Sequence, residues 1–202
     1  LNVVRKYKDL KGFFLASTAA VYPIYNYAIK ESLKPNPCDI YGTSKLICEH
    51  LLNEFHLETS INSIVCRFFN AFGPNETNPH LIPEILAQIK NGNRTIKLGN
   101  LEPKRDFIHT YDMARAVRGL IEKSVDGFEI FNLGRGIEYS VTDIVKAFEK
   151  SINEKITIQQ DSSRVRKSDR LHLLADITKL KTYLNWQPEE SLESAIKKLT
   201  IN

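Results

Sequence analysis

Asp39-Ile40-Tyr41-Gly42-Thr43-Ser44-Lys45-Leu46-Ile47-Cys48-Glu49 decides the reading of this 202-residue chain. Tyr41 and Lys45 are four residues apart, and residues at i and i+4 share one face of a helix. Asp39 is a helix-capping residue type, and Leu46, Leu51, Leu52 and Phe55 mark an apolar side. The stretch predicts a helix over 41–58 with a phenol and an ammonium together at its start. A tyrosine in water titrates near ~10, too high for a base at neutral pH. A neighbouring cation favours the phenolate. Tyr41 is therefore a candidate general acid/base. The spacing alone fits equally an amphipathic helix carrying Tyr and Lys on its surface, so the surrounding sequence has to choose.

Working outward, Phe13-Phe14-Leu15-Ala16 is a short apolar run suited to a buried parallel strand. Ser17-Thr18-Ala19-Ala20-Val21-Tyr22 follows directly, where strand ends in open α/β sheets place ligand contacts. The residues before it, 1–7, read as the latter part of a helix stopped at Gly12. A Tyr-, Asn- and Pro-rich loop covers 23–37, and a second strand covers 60–69. Asn70-Ala71-Phe72-Gly73-Pro74 reads as a turn. Further helices are predicted over 81–90, 111–122, 142–151, 178–184 and 192–199. The 111–122 helix is expected to turn Met113, Ala114, Val117 and Ile121 inward. Further strands are predicted over 95–98, 106–109, 128–133 and 155–159, and a basic loop over 162–170. Strands alternate with helices, so the class is α/β.

Composition narrows the function classes. Hydrophobic residues make up 42% and charged residues 26%, an ordinary globular balance. The net charge of +4 is mild, and no dense Lys/Arg run marks a nucleic-acid face; a local basic pocket for an anionic small molecule remains open. Cys38, Cys48 and Cys66 are odd in number and lack CxxC spacing, which argues against a disulfide framework and a zinc site. No apolar run approaches a membrane span, and the basic first residues lack an apolar signal core, so a cytoplasmic protein is expected.

Five segments now stand in order: STAAVY at 17–22, YGTSK at 41–45, RFFNAFGP at 67–74, KRDFIH at 104–109, and the RxxD-then-AD stretch from Arg166 to Asp176. Together they resemble the extended short-chain dehydrogenase/reductase family, in its branch of NAD-dependent nucleotide-sugar epimerases and dehydratases. The likeness runs essentially the length of the chain. The family's glycine-rich strand-turn-helix, which holds the dinucleotide pyrophosphate, has no counterpart, since neither GxxGxxG nor GxGxxG occurs. The resemblance thus covers the family's C-terminal part. It implies a partial NAD-binding Rossmann-like parallel sheet plus a smaller α/β substrate-binding domain. Residues 1–70 would carry the end of the Rossmann-like part, and 71–202 mainly the substrate region, with about 106–135 returning to the first.

The resemblance also implies roles. Thr18 matches the catalytic Ser/Thr, Tyr41 the acid/base, and Lys45 its electrostatic partner and a ribose contact. Ser17, Tyr41, Lys45 and Phe68 would face an NAD or NADP cofactor, with Phe68 near the nicotinamide. Asn70, His80, Leu81, Leu98, Arg105 and Arg166 match contacts to a nucleotide-diphosphate sugar, as does Thr18. For the two arginines the chemistry suits, because a planar guanidinium grips phosphate bidentately. Plain structural roles compete at several positions: a strand-end Thr18, a turn-forming Asn70, a buried Leu98, a core Phe68. No metal is implied. The activity implied for the intact protein is C4 epimerisation or 4-keto reduction, with a 4,6-dehydratase or a non-catalytic binding homologue as alternatives. Related dehydratases place carboxylates just after the catalytic Thr, where this chain has Ala19 and Ala20. Pro23 and Asn185 also depart from the family pattern, away from the chemistry. The chain by itself is expected to be inactive, and the intact protein a homodimer through a bundle that includes the Tyr41 helix.

Overall fold

The computed structural model describes residues 1–7, 9–165 and 170–201. Three parallel strands form the sheet that positions the site: β1 (Gly12–Thr18), β2 (Asn62–Phe68) and β6 (Phe128–Leu133), in the order β1-β2-β6. The central strand β2 is buried between layers, as a parallel strand requires, whereas β1, expected to be buried, lies at the edge of the sheet with Phe13–Leu15 half-buried and Ala16 exposed. Val65, Cys66, Phe131 and Leu133 are fully buried. The register aligns Ser17 with Arg67 and Arg67 with Asn132, and one step on, Thr18 with Phe68 and Phe68 with Leu133. A polar row therefore lies one rung below the C-terminal edge of the sheet.

Helix α1 (Ile40–Thr59) packs on β1 and β2. Its start is set by Asp39, whose Oδ1 accepts the Gly42 N–H at 2.6 Å, and its end by Ser60 in the left-handed region at φ 56°. Leu52 and Phe55 are buried and Leu46 packs against the core, but Leu51 points outward at 54% exposure. With Ile40 and Ile47 it forms an outward apolar stripe at i, i+7 and i+11.

Beyond the sheet, β3 (Asn70–Phe72) runs parallel to β5 (Arg105–His109), and β5 pairs antiparallel with β7 (Glu138–Tyr139). The segment expected to be a turn is thus a strand, because β5 supplies a distant hydrogen-bonding edge. Strands β4 (Thr95–Leu98) and β8 (Thr157–Gln160) form a separate parallel pair. Around these lie α2 (Leu81–Lys90), α3 (Thr110–Lys123), α4 (Val141–Ile152), α5 (Thr178–Leu184) and α6 (Leu192–Ile201). Helix α4 opens with a capping box between Ser140 and Asp143.

Among the described residues three apolar clusters form. One lies around β1, β2 and β6 and takes in Ile108, Ala116, Leu120, Leu180 and Trp186; a second joins Phe72, Ile85, Ile96, Phe107, Phe148 and Ile196; a small third joins Leu52 and Phe55 of α1 to Val65 of β2. Two expectations need correction. Residues 1–7 hold only a short 3₁₀ turn, Val4–Lys6, and Gly12 opens β1 rather than closing a helix. In α3 the buried stripe is Asp112, Ala116 and Leu120, so Ala114 and Ile121 face outward. Asp112 is inward because its two oxygens accept the Glu189 and Glu190 N–H groups at 3.0 and 2.9 Å. Among the described residues no helix is long and apolar enough to cross a membrane.

Candidate active site

The C-terminal ends of β1 and β2 open onto a cleft of about 660 Å³, where open α/β sheets bind ligands. Thr18 ends β1 and Phe68 ends β2. Tyr41 enters from the first turn of α1, which sits unusually close to the strand end. A Cβ on Gly42 would stand 2.3 Å from the Ala20 carbonyl oxygen and 2.9 Å from Pro37 Cβ. Glycine at this point lets the helix start dock beside Thr18. Thr18, Tyr41, Phe68 and Asn70 all line this one cleft.

Thr18 also caps the short 3₁₀ turn Ala19–Val21, its Oγ1 accepting the Ala20 N–H at 3.2 Å. A hydroxyl that accepts keeps its own proton to donate, so capping and substrate contact are compatible. Tyr41 is 56% exposed. Lys45 Nζ donates to the Ala16 carbonyl oxygen on β1 at 3.0 Å. An ammonium has three donors, and this bond uses one. Lys45 stands outside the cleft lining. The Ser17 side chain points away from the cleft: it is 3% exposed and donates to Glu49 Oε1 at 2.5 Å.

A second pocket of about 500 Å³ adjoins the first, sharing Asn70 and His80 with it. Leu81, Leu98 and Arg105 line it. Leu81 is half-buried at the start of α2, whereas Leu98 is buried at the end of β4. Arg105 Nη1 donates to the carbonyl oxygens of Lys104 at 2.8 Å and Arg170 at 2.6 Å. The structure thus gathers the candidate residues into two joined pockets, with the exception of Ser17 and Lys45. Arg166 lies outside the described residues.

Five charged side chains that line these pockets were not among the site residues expected from the sequence: Asp39, Glu76, Glu84, Arg164 and Arg170. Glu76 lines the cleft on the loop after β3, with Oε1 2.5 Å from His80 Nδ1. Asp39 lines it too, as the α1 cap. Arg170 lines it while donating to the Tyr22 carbonyl oxygen at 2.9 Å. Arg164 lines the second pocket and pairs with Glu84 at 2.6 Å. The capping position of Asp39 and the i, i+4 spacing of Glu76 and His80 carried local signals. Among the described residues no group of three or more His, Cys, Asp or Glu is placed to hold a metal.

Comparison with known proteins follows the same lines. The family model described as GDP-mannose 4,6 dehydratase matches residues 1–199. The GDP-6-deoxy-D-talose 4-dehydrogenase of Aggregatibacter actinomycetemcomitans is 32% identical over 184 residues, covering 89% of this chain and 62% of that protein. The UDP-glucuronate 4-epimerase of Thermodesulfobacterium geofontis is 30% identical over 206 residues, covering 100% of this chain and 62% of that protein. Among solved structures, the UDP-glucuronic acid 4-epimerase from Bacillus cereus, in complex with UDP-glucuronic acid and NAD, matches with a TM-score of 0.86. It is 27% identical, with 97% of this chain and 62% of that one covered. The chain therefore spans less than two thirds of the length of these relatives.

Proposed function

Because the chain belongs to the GDP-mannose 4,6 dehydratase family, within the extended short-chain dehydrogenases/reductases that act on nucleotide sugars, we propose that the intact protein is a nucleotide-sugar 4-epimerase or 4-keto reductase. The observation that carries this reading is the joined pair of pockets. Thr18 and Tyr41 share the cleft at the strand ends, and Asn70 and His80 lead from it to the pocket of Arg105. In this reading the first takes the sugar ring and the second its nucleoside diphosphate.

The cofactor in this reading is NAD or NADP, as in the B. cereus complex with NAD. The residues present suit its nicotinamide-ribose end. Lys45 stands at the edge of β1 with donors beyond the one given to Ala16, and Tyr41 and Phe68 flank the cleft. A nicotinamide supplies the hydride acceptor and donor. The chain's own residues handle binding and protons. Thr18 donates to the sugar O4, Tyr41 takes and returns the O4 proton, and Lys45 is its electrostatic partner. Arg105 holds the diphosphate, as does Arg166 by family resemblance, while Asn70, His80, Leu81 and Leu98 shape the nucleotide side. The outward stripe Ile40, Ile47 and Leu51 supports a homodimer through α1. The 202 residues contain no glycine-rich pyrophosphate turn, so the chain alone is proposed to be catalytically silent.

One observation favours the dehydratase alternative. Elimination needs a base and an acid near C5 and C6, and Glu76 offers a carboxylate in the cleft. Against it, Ala19 and Ala20 also line the cleft directly after Thr18 and carry no ionisable group. The test is turnover of UDP-, GDP- and dTDP-hexoses and their 4-keto forms by the full-length protein with NAD or NADP. Inversion or reduction at C4 is expected. Tight nucleotide-sugar binding with no turnover of any of them would overturn the reading in favour of a binding protein.

A further inference from the structure

Beneath the cleft, a buried polar rung crosses the sheet. Ser17, Arg67 and Asn132 stand in register on β1, β2 and β6, each 3% exposed or less. Buried charge is stable only when paired and hydrogen-bonded, and here one carboxylate from α1 does the pairing. Glu49 Oε1 accepts from Ser17 Oγ at 2.5 Å and from Arg67 Nε at 3.0 Å, while Oε2 accepts from Arg67 Nη2 at 2.6 Å. Arg67 Nη1 continues the chain to the Tyr22 hydroxyl at 2.9 Å, which donates to Asn132 Oδ1 at 2.7 Å. Burial works against the Arg67 charge and is the largest single influence, but Glu49 and Tyr22 together outweigh it and hold the guanidinium above its ordinary value.

The places this network grips are what matter. Ser17 directly precedes Thr18, and Arg67 directly precedes Phe68. Glu49 lies four residues past Lys45 and eight past Tyr41, on the same stripe of α1. Lys45 itself binds Ala16, the next residue down β1. We propose that Glu49 is a positioning residue, a single carboxylate that ties β1, β2 and α1 together so that Thr18, Phe68 and Tyr41 keep one fixed arrangement at the cleft. The proposal rests on the C4 reading above. An all-apolar contact could hold the layers together as firmly. It would not fix the angular placement of three elements, which bidentate charged hydrogen bonds do.

The test uses the full-length protein with Glu49→Gln and Ser17→Ala, beside Leu199→Ala as a control core truncation remote from the cleft. Glu49→Gln removes the charge and turns an amide toward the Arg67 donors. Ser17→Ala removes one donor and leaves the ion pair, so it remains folded even if the first variant does not. Both are expected to lower kcat on the order of tenfold, as a small misplacement of reacting groups does, with KM within about twofold. Leu199→Ala should lower Tm with kcat retained. A crystal structure of Ser17→Ala should show Thr18 Oγ1 and Tyr41 OH displaced relative to wild type. Retained kcat in Ser17→Ala with lowered Tm, or an undisplaced Thr18–Tyr41 pair, would overturn the positioning role. A silent wild type would overturn the C4 reading instead, and the crystal comparison would still decide on Glu49.

Discussion

The Lys45 ammonium donates to the Ala16 carbonyl oxygen across 3.0 Å, joining α1 to β1 two residues before Thr18. A side chain proposed to tune Tyr41 is thereby fixed to the strand that carries the proposed second catalytic hydroxyl. Replacing it by methionine keeps most of the stem and removes the charge. Lys45→Met in the full-length protein is expected to lower turnover by ~10²–10⁴-fold, the range for loss of acid/base function. The loss of stability should stay within ~1.5–3 kcal/mol, the size of one charged hydrogen bond. Thermal unfolding and steady-state kinetics on the same preparation separate the two effects.

Gly42 sets how closely α1 approaches the strand end. A Cβ there would meet the Ala20 carbonyl oxygen at 2.3 Å, and backbone cannot step aside as a flexible side chain can. Gly42→Ala is expected to cost ~1–3 kcal/mol, as overpacking does, and to lower kcat by shifting Tyr41 away from Thr18. Wild-type stability together with wild-type kcat would contradict this account of the helix start.

The sequence shows its local signals well. The Tyr41 helix was readable because a capping Asp39 and an i, i+4 apolar rhythm are local features. The strand over 128–133 and the helix over 178–184 match β6 and α5 to the residue. What failed depended on distant partners. β3 looked like a turn because its partner is distant in sequence, Asn70 pairing with Phe107 of β5. Helix α3 was rotated in the reading because a buried Asp112, satisfied by Glu189 and Glu190 N–H groups, breaks the rule that apolar residues mark the inner face. Family resemblance pointed to Thr18, Tyr41, Phe68, Asn70, His80, Leu81, Leu98 and Arg105 as candidates, all of which line the two pockets, yet Glu76, Arg164 and Arg170 came to line them only through the folding of loops. The burial of Ser17 against Glu49 was likewise invisible in the motif.

Asp106 offers a test that needs no substrate. It is fully buried and accepts N–H bonds from Arg135, Gly136 and Ala175. Burial is the larger influence and raises its carboxyl to about 6, against the opposing pull of those donors. The folded carboxyl therefore holds its proton more tightly than the unfolded one. Its contribution to stability is full below the unfolded value of ~3.9 and is lost as pH rises through about 6. Carboxyl ¹³C NMR should show Asp106 titrating near pH 6; a midpoint below 4 would contradict it.

The cleft chemistry also predicts what the protein does not make. With Ala19 and Ala20 after Thr18, incubation with nucleotide hexoses and NAD or NADP should yield no 4-keto-6-deoxy sugar. Accumulation of that product, abolished by Glu76→Gln, would assign elimination to the Glu76 carboxylate and reverse the preference for C4 epimerisation or reduction.

The central claim is that Tyr41 is the acid/base of a C4 reaction, and Tyr41→Phe tests it most directly. The variant keeps the ring and the start of α1 and removes only the hydroxyl. Measured in the full-length protein against its preferred nucleotide sugar, kcat should fall by ~10²–10⁴-fold while KM changes little. A kcat close to wild type would contradict the assignment.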